Sequence, residues 1–254
     1  MNDTFKKCLY ALAFIGLTSS ITFAHCCGDS AGSSGAFVLS PQIYWLDAGP
    51  LDGVAQKEET LKDKTFHFQR HNPLFLLGLG GYHDHGNGFR SGFSVYGGYK
   101  SYYSDIYKNV VAGAASRDSV TVLRFIPAYG GFTFDKSARY GDIGFSGGVM
   151  IGGGVFMLNR ESYDVDRSSA FSSYEPRVDT VGREPSDEHD WAFAGNFAFD
   201  AHAGMTFRLS PLLHLGIDAI ALCFYSPEGF GYASGEFFTV NPGVRIRLIV
   251  GRAG

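Results

Sequence analysis

The feature that most constrains this chain is a strict alternation of apolar and polar residues. It recurs from residue 89 to residue 250 in runs of about ten to sixteen residues. The last run is the clearest: apolar side chains occupy the even positions from Phe238 to Val250, while Thr239, Arg245 and Arg247 occupy odd positions. Successive side chains of a β-strand point to opposite faces. The alternation therefore predicts strands with one apolar and one polar face.

Eight such runs are separated by residues that favour turns. Long connections follow the first, third, fifth and seventh runs, and short ones follow the second, fourth and sixth. Bacterial outer-membrane barrels have this arrangement, with short periplasmic turns and longer outward loops. The predicted strands lie near 36–46, 73–82, 89–101, 119–134, 142–158, 191–209, 212–225 and 236–250.

A chain that crosses lipid must satisfy every backbone hydrogen-bonding group internally, which leaves helices and closed barrels. After the N-terminal segment, no apolar stretch in this sequence is long enough for a membrane-spanning helix. The predicted fold class is therefore all-β, an eight-stranded antiparallel transmembrane β-barrel of up-and-down topology. The small residues on one face of the fifth strand suit the interior of a narrow barrel.

The N-terminus has the pattern of an export signal. Lys6 and Lys7 precede an apolar run, and Thr22-Phe23-Ala24 fits a signal-peptidase site. The predicted organisation is a signal peptide at 1–24, a flexible leader at 25–35, a barrel domain at 36–250 and a tail at 251–254. We expect the protein in the outer membrane of a Gram-negative-type bacterium. Lipidation of Cys26 or Cys27 is an alternative for the leader.

Aromatic residues gather at both predicted ends of the strands, as in the interfacial belts of membrane proteins. The group near the long loops is Tyr99, Trp191, Tyr225, Phe237 and Phe238, and the group near the short turns is Tyr82, Phe89, Phe132 and Phe207. With these belts the chain resembles the eight-stranded outer-membrane barrels of the OmpA, OmpX and OmpW type, over nearly the whole mature length. The resemblance implies insertion by the barrel-assembly machinery.

Turning the apolar faces toward lipid sends charged residues into the lumen. The predicted lumen charge network consists of Arg90, Arg124, Asp200, His202, Arg208, His214, Asp218, Arg245 and Arg247. Because buried charges need partners, Arg245 and Arg247 are expected to pair with acids such as Asp200 or Asp218. A salt-bridged plug is the first interpretation. A proton-sensitive path through His202 or His214 is the alternative.

Other polar features are weaker indicators of chemistry. His83 and His85 are candidate transition-metal ligands beside a turn, but turn chemistry accounts for them and no metal site or cofactor is assigned. The loop at 161–190 holds nine acidic residues and is interpreted as a solvated surface. The net charge of −4 gives no indication of nucleic-acid binding.

The functional prediction is a barrel with a largely plugged lumen and a structural or surface-interaction role. Its expected partners are the lipid bilayer, lipopolysaccharide and an extracellular ligand of the loops. The first alternative is a narrow transporter of small hydrophobic molecules, with an apolar pocket at Ile220, Leu222 and Phe224. A lipid A-modifying enzyme ranks third, since no nucleophile and base are specified and no catalytic residue is assigned. A soluble lipocalin-like carrier ranks fourth, because it would need an apolar interior and so the opposite assignment of every face.

Overall fold

Eight long strands form a closed ring. The computed structural model describes residues 34–46, 51, 66, 73–86, 88–105, 107–109, 117–165, 181–185, 190–227 and 237–251. The predicted signal peptide and nearly all of the leader and tail lie outside the described residues, as do Cys26 and Cys27. The strands are β1 (Ser34–Tyr44), β2 (Leu74–Asp84), β3 (Phe89–Gly98), β4 (Lys100–Tyr103), β5 (Tyr107–Asn109), β6 (Arg117–Tyr140), β7 (Ile143–Val165), β8 (Val181–Pro185), β9 (Asp190–Arg208), β10 (Leu213–Ser226) and β11 (Phe237–Gly251).

The ring runs β1, β2, β3, β6, β7, β9, β10 and β11, and β11 pairs back with β1. Every neighbouring pair is antiparallel. The predicted eight-stranded up-and-down barrel is confirmed. Three short strands lie outside the sequence-based count: β4 continues β3 along β6, β5 also pairs with β6, and β8 pairs with β7.

The three short turns lie at one end of the barrel. They connect β2 to β3, β6 to β7 and β9 to β10. Gly86, Gly88 and Gly141 have φ values of 78°, 76° and 62°, and glycine adopts this left-handed conformation at low cost. The β6–β7 turn has only two residues, 141–142, because β6 continues to Tyr140, past its predicted end at residue 134. β7 begins at Ile143, close to its predicted start at 142, and extends to Val165, past its predicted end at 158.

The two faces of the wall differ as the alternation predicts. Along β10, every even-numbered residue from His214 to Ser226 is buried, whereas Ile217 and Tyr225 on the other face are exposed. The outer surface carries large apolar side chains all round the ring, including Phe75, Phe132, Ile151, Phe193, Phe197, Phe238 and Ile246. Apolar outside and polar inside is the arrangement of a barrel in lipid and the reverse of a soluble one.

No helix in the described part of the chain is long and apolar enough to cross a membrane.

Candidate functional site: the barrel interior

The centre of the lumen contains a compact ion-pair network. Asp218, on β10, is fully buried and accepts hydrogen bonds from Arg245 Nε at 2.9 Å and Arg247 Nη2 at 2.6 Å. Both arginines come from β11, where Arg245 lies directly opposite Asp218 in the register. Arg245 Nη1 also lies 3.7 Å from Asp200 on β9. The side chains that alternate inward on three neighbouring strands thus meet in one cluster.

His202 links this cluster to the other side of the barrel. Its Nδ1 lies 2.9 Å from Asp200 Oδ1 and its Nε2 lies 2.7 Å from Asp135 Oδ1, on β6. An ionised carboxylate only accepts hydrogen bonds, so both ring nitrogens must carry protons. As an imidazolium, the ring would hold both carboxylates by charge-assisted hydrogen bonds.

Counting His202 as a cation balances the charge of the network. Its carboxylates are Asp84, Asp135, Asp200 and Asp218, and its cations are Arg90, Arg245, Arg247 and His202. Arg90 pairs with Asp84 at 3.2 Å, and its guanidinium carbon lies 5.0 Å from the centre of the Tyr82 ring. The four negative and four positive charges offset one another, as buried ions require.

A layer of tyrosines and a glutamine lies next to the ion pairs. The Tyr44 hydroxyl donates to Gln42 Oε1 and lies 3.5 Å from Asp200 Oδ2. Tyr129 also donates to Gln42 Oε1, at 3.3 Å, and Tyr96 accepts from Arg245 Nη1 at the same distance. The rings of Tyr96 and Tyr129 stack at 5.1 Å. Hydroxyl groups therefore join the charged centre to an aromatic core.

The proposed apolar pocket residues belong to that aromatic core. Ile220, Leu222 and Phe224 are buried and face the lumen. The Phe224 ring packs edge-on against Tyr129 at 5.1 Å and Phe156 at 4.9 Å. Phe224 therefore packs within the aromatic core instead of lining an open pocket on the side of these two rings.

Three predicted placements need correction. Arg124 faces outward, because β6 pairs with β7 in unbroken register and Leu123, Phe125 and Tyr129 occupy the inward phase. Arg124 pairs with Glu161 at 2.5 Å on the outer face. Tyr82 faces the lumen rather than lipid, since it shares the buried phase of β2 with Asp84.

Arg208 is the third correction. It follows Thr206 in the inward phase of β9 but is exposed, because β9 ends there at the mouth of the barrel. Among the other belt residues, Tyr99, Trp191, Tyr225 and Phe238 are exposed on the outer face near the long connections, and Phe89 and Phe132 are exposed nearer the short turns. Phe207 is half-buried, and the side chain of Phe237 lies outside the described residues.

His83 and His85 lie at the end of β2, with ring centres 4.9 Å apart. His85 Nε2 lies 2.6 Å from Ser91 Oγ, and Asp84 between them is held by Arg90. No group of three or more His, Cys, Asp or Glu side chains that suits a metal occurs within the described ranges.

A groove on the outer wall was not indicated by the sequence. It has a volume of about 840 Å³ and lies where β3 leaves β2, at Gly97 and Gly98. Its lining includes Ile43, Phe75, Leu77, Val244, Ile246 and Tyr99, with Gln42 and Lys100. Alternation within each strand does not reveal where two strands separate, so no single run of residues predicts this groove.

The closed ring, the apolar outer surface and the ion pairs inside define this chain as an eight-stranded outer-membrane β-barrel protein. Its place is the outer membrane of a Gram-negative-type cell envelope, where barrels with this lipid face occur. The class follows from the pairing and polarity of this chain's own strands.

Comparisons with known proteins return barrels from such envelopes. Neisserial surface protein A is 8% identical with a TM-score of 0.34, covering 87% of this chain and 99% of that one. Ail of Yersinia pestis, in complex with the heparin analogue sucrose octasulfate, is 11% identical with a TM-score of 0.36 over the same shares. The translocator domain of the autotransporter NalP from Neisseria meningitidis is 10% identical, with a TM-score of 0.27 and coverage of 99% and 98%.

No protein-family model matches the sequence, and no curated protein matches it. The identities and TM-scores of these solved structures are too low to support an argument about activity.

Proposed function

We propose that this protein is a non-enzymatic outer-membrane barrel that does not conduct and that acts at the cell surface through its long connections. The observation that supports the proposal is the packing of side chains across the lumen. A balanced cluster of four carboxylates and four cations lies across it, and an aromatic layer that includes Tyr129, Phe156 and Phe224 lies above. A barrel of eight strands has room inside for side chains only.

Electrical recording from planar lipid bilayers tests the closed lumen. The purified full-length protein is expected to insert without steady conductance. His202→Ala removes the ring that bridges β6 and β9 and is expected to produce measurable ion leakage. His85→Ala, at an exposed position outside the network, is the matched control. A steady current through the wild-type protein would refute the closed lumen.

The surface role is supported by the sorting of connections. The short turns gather at one end, whereas long segments such as 45–73, 166–180 and 227–236 connect strands at the other. The test displays the protein on bacterial cells and measures binding of the cells to arrays of glycans and matrix proteins. Binding is expected to disappear when 166–180 is replaced by a short Gly-Ser linker while the heat-dependent gel shift of a folded barrel remains. Equal binding by both forms would contradict the role of the loop.

The outer-wall groove favours a second function, lateral transfer of small hydrophobic molecules. Its apolar lining faces the bilayer, and it reaches Gln42, an inward residue of β1 whose Nε2 has no hydrogen-bond partner. Leu77→Trp narrows the groove without changing the lumen. Uptake of a fluorescent alkane by cells producing the protein is expected to fall with this variant if transfer occurs, and an unchanged rate would exclude this second function.

A further inference from the structure

The lumen has a small well at its short-turn end, next to the ion-pair network and sharing Arg90 with it. Its lining includes Arg90, Ser137, Arg139, Thr206 and His214. The enclosed volume is about 20 Å³, which is room for one water-sized group. The well lies inside the ring, beside the β6–β7 and β9–β10 turns, and its mouth is open. In an outer-membrane barrel this end faces the periplasm.

Two buried polar atoms at the well have no hydrogen-bond partner. They are Nε2 of His214, whose side chain is almost completely buried, and Oγ1 of Thr206. Nε of Arg247, which donates through Nη2 to the well residue Ser146, is also without a partner. Leaving such a group unsatisfied costs about 1–3 kcal/mol. His214 and Thr206 line the same cavity, so one small polar occupant could satisfy both of their atoms.

The electrostatics of the well favour an anion. Arg90, Arg139 and Arg208 lie near enough to His214 for their charges to act on its ring. The ion-pair network is balanced by itself, so Arg139 and Arg208 add positive charge at the mouth. Among the described residues, the further carboxylate at this turn is Asp142, which is exposed. The charges that act on the His214 ring from the mouth are therefore positive.

His214 links anion binding to proton uptake. Its ring hydrogen-bonds the backbone of Gly251, which leaves Nε2 as the atom toward the well. In the neutral ring Nε2 is then an acceptor, and it becomes a donor only when the imidazole gains a proton. An anion supplies the counter-charge for that proton. The charged and polar groups that line the well beside the ring or act on it are Arg90, Ser137, Arg139, Ser146, Thr206 and Arg208. Behind them, Asp84 pairs with Arg90 and Arg247 donates to Ser146, and Asp142 lies in the adjacent β6–β7 turn.

We propose that this well binds one oxygen of a small oxyanion of the phosphate or sulfate type, held by His214 and Thr206 and attracted by the arginines of the mouth. Binding carries one proton onto Nε2 of His214. The rest of the anion lies at the open mouth, since the enclosed space takes a single atom of oxygen size.

Titration calorimetry of the full-length protein in phosphate-free alkyl maltoside micelles tests the proposal, at constant ionic strength. Inorganic phosphate and sulfate are the probes. His214→Gln and Thr206→Val are each expected to weaken binding at least about tenfold. His85→Ala, an exposed histidine at the same end, is expected to leave it unchanged. Sulfate does not titrate near neutral pH, and its affinity for the wild type is expected to rise up to about tenfold per pH unit as pH falls. That dependence is expected to vanish in His214→Gln.

Heat-dependent gel migration checks that each variant folds. If His214→Gln or Thr206→Val fails to fold, Arg139→Gln at the exposed mouth replaces it and is expected to weaken binding by a smaller factor. Repeating the titration in anionic-lipid vesicles separates two sources of phosphate. If sulfate no longer binds in these vesicles, the headgroup of an anionic lipid occupies the well. If sulfate still binds, the well takes a free anion. No binding to the wild type at about 10 mM probe, or equal binding by every variant, would overturn the proposal.

Discussion

Replacing Asp218 with asparagine tests the ion-pair network most directly. Asp218→Asn keeps the size of the side chain and one acceptor oxygen but removes the charge that holds Arg245 and Arg247. Removing one partner of a buried ion pair costs about 3–5 kcal/mol. Arg245 retains Asp200 at 3.7 Å and Arg247 retains Ser146 Oγ at 2.9 Å, so both guanidinium groups stay partly compensated. The expected loss is therefore at the lower end, about 3 kcal/mol.

The free energy of unfolding is measured by urea titration of the protein in lipid vesicles, followed by tryptophan fluorescence. A loss of about 3 kcal/mol lowers the folding equilibrium constant roughly 100-fold. Asp142→Asn, in the exposed β6–β7 turn, is the matched control and is expected to change stability by less than about 0.5 kcal/mol. A loss below about 1 kcal/mol for Asp218→Asn would mean that water screens the lumen, and the closed network would be refuted.

Three further changes test separate parts of the structure. His202→Gln removes the bridge between Asp135 on β6 and Asp200 on β9 and is expected to cost about 3–5 kcal/mol, because two buried carboxylates lose their shared partner; a cost below about 1 kcal/mol in urea titrations would contradict the bridge. Gly152→Ala pushes a methyl group into the Gly130 carbonyl oxygen and is expected to lower the free energy of unfolding by about 1–3 kcal/mol in the same assay. The control is Gly195→Ala, whose methyl group enters open space and is expected to change stability little. Val244→Arg places a charge in the middle of β11 on the lipid face and is expected to lower the free energy of unfolding in vesicles by about 2–4 kcal/mol. Tyr140→Arg, at the end of β6, is the control and is expected to lower it by about 0–1 kcal/mol. Equal losses for the two variants would argue against the membrane placement.

The alternation alone was sufficient to predict the ring and most inward faces, because a period of two fixes the face of every residue in an unbroken strand. It places Asp200, His202, Asp218, Arg245 and Arg247 on one side of the wall. The alternation does not determine how far along the barrel axis each strand extends or which side chains meet across the lumen. Asp135 lies just past the predicted end of the fourth strand, at residue 134, and so was not assigned to the lumen.

The error at Arg124 has a clear physical origin. Its charge suggested an inward position, which turned Leu123, Phe125 and Tyr129 toward lipid. The opposite is true because the unbroken register of β6 with β7 sets these three residues inward, and the outward charge of Arg124 is compensated by Glu161 beside it. Tyr82 was misplaced for a related reason: amphipathic rings suit both an interface and a polar lumen.

The strands of this barrel differ in length around the ring, so the height of the wall differs from one side to another. The β6–β7 ladder has 22 residue pairs and the β1–β2 ladder has 11. At about 3.3 Å per residue and a tilt of about 45°, these rise roughly 50 Å and 25 Å along the barrel axis, against a hydrocarbon core of about 30 Å. The described strands on the β6–β7 side therefore extend well beyond the hydrocarbon core, whereas the β1–β2 ladder is no longer than the core itself. The barrel wall is thus asymmetric around its axis, and the β6–β7 ladder by itself carries backbone and side chains past the lipid on its side of the ring.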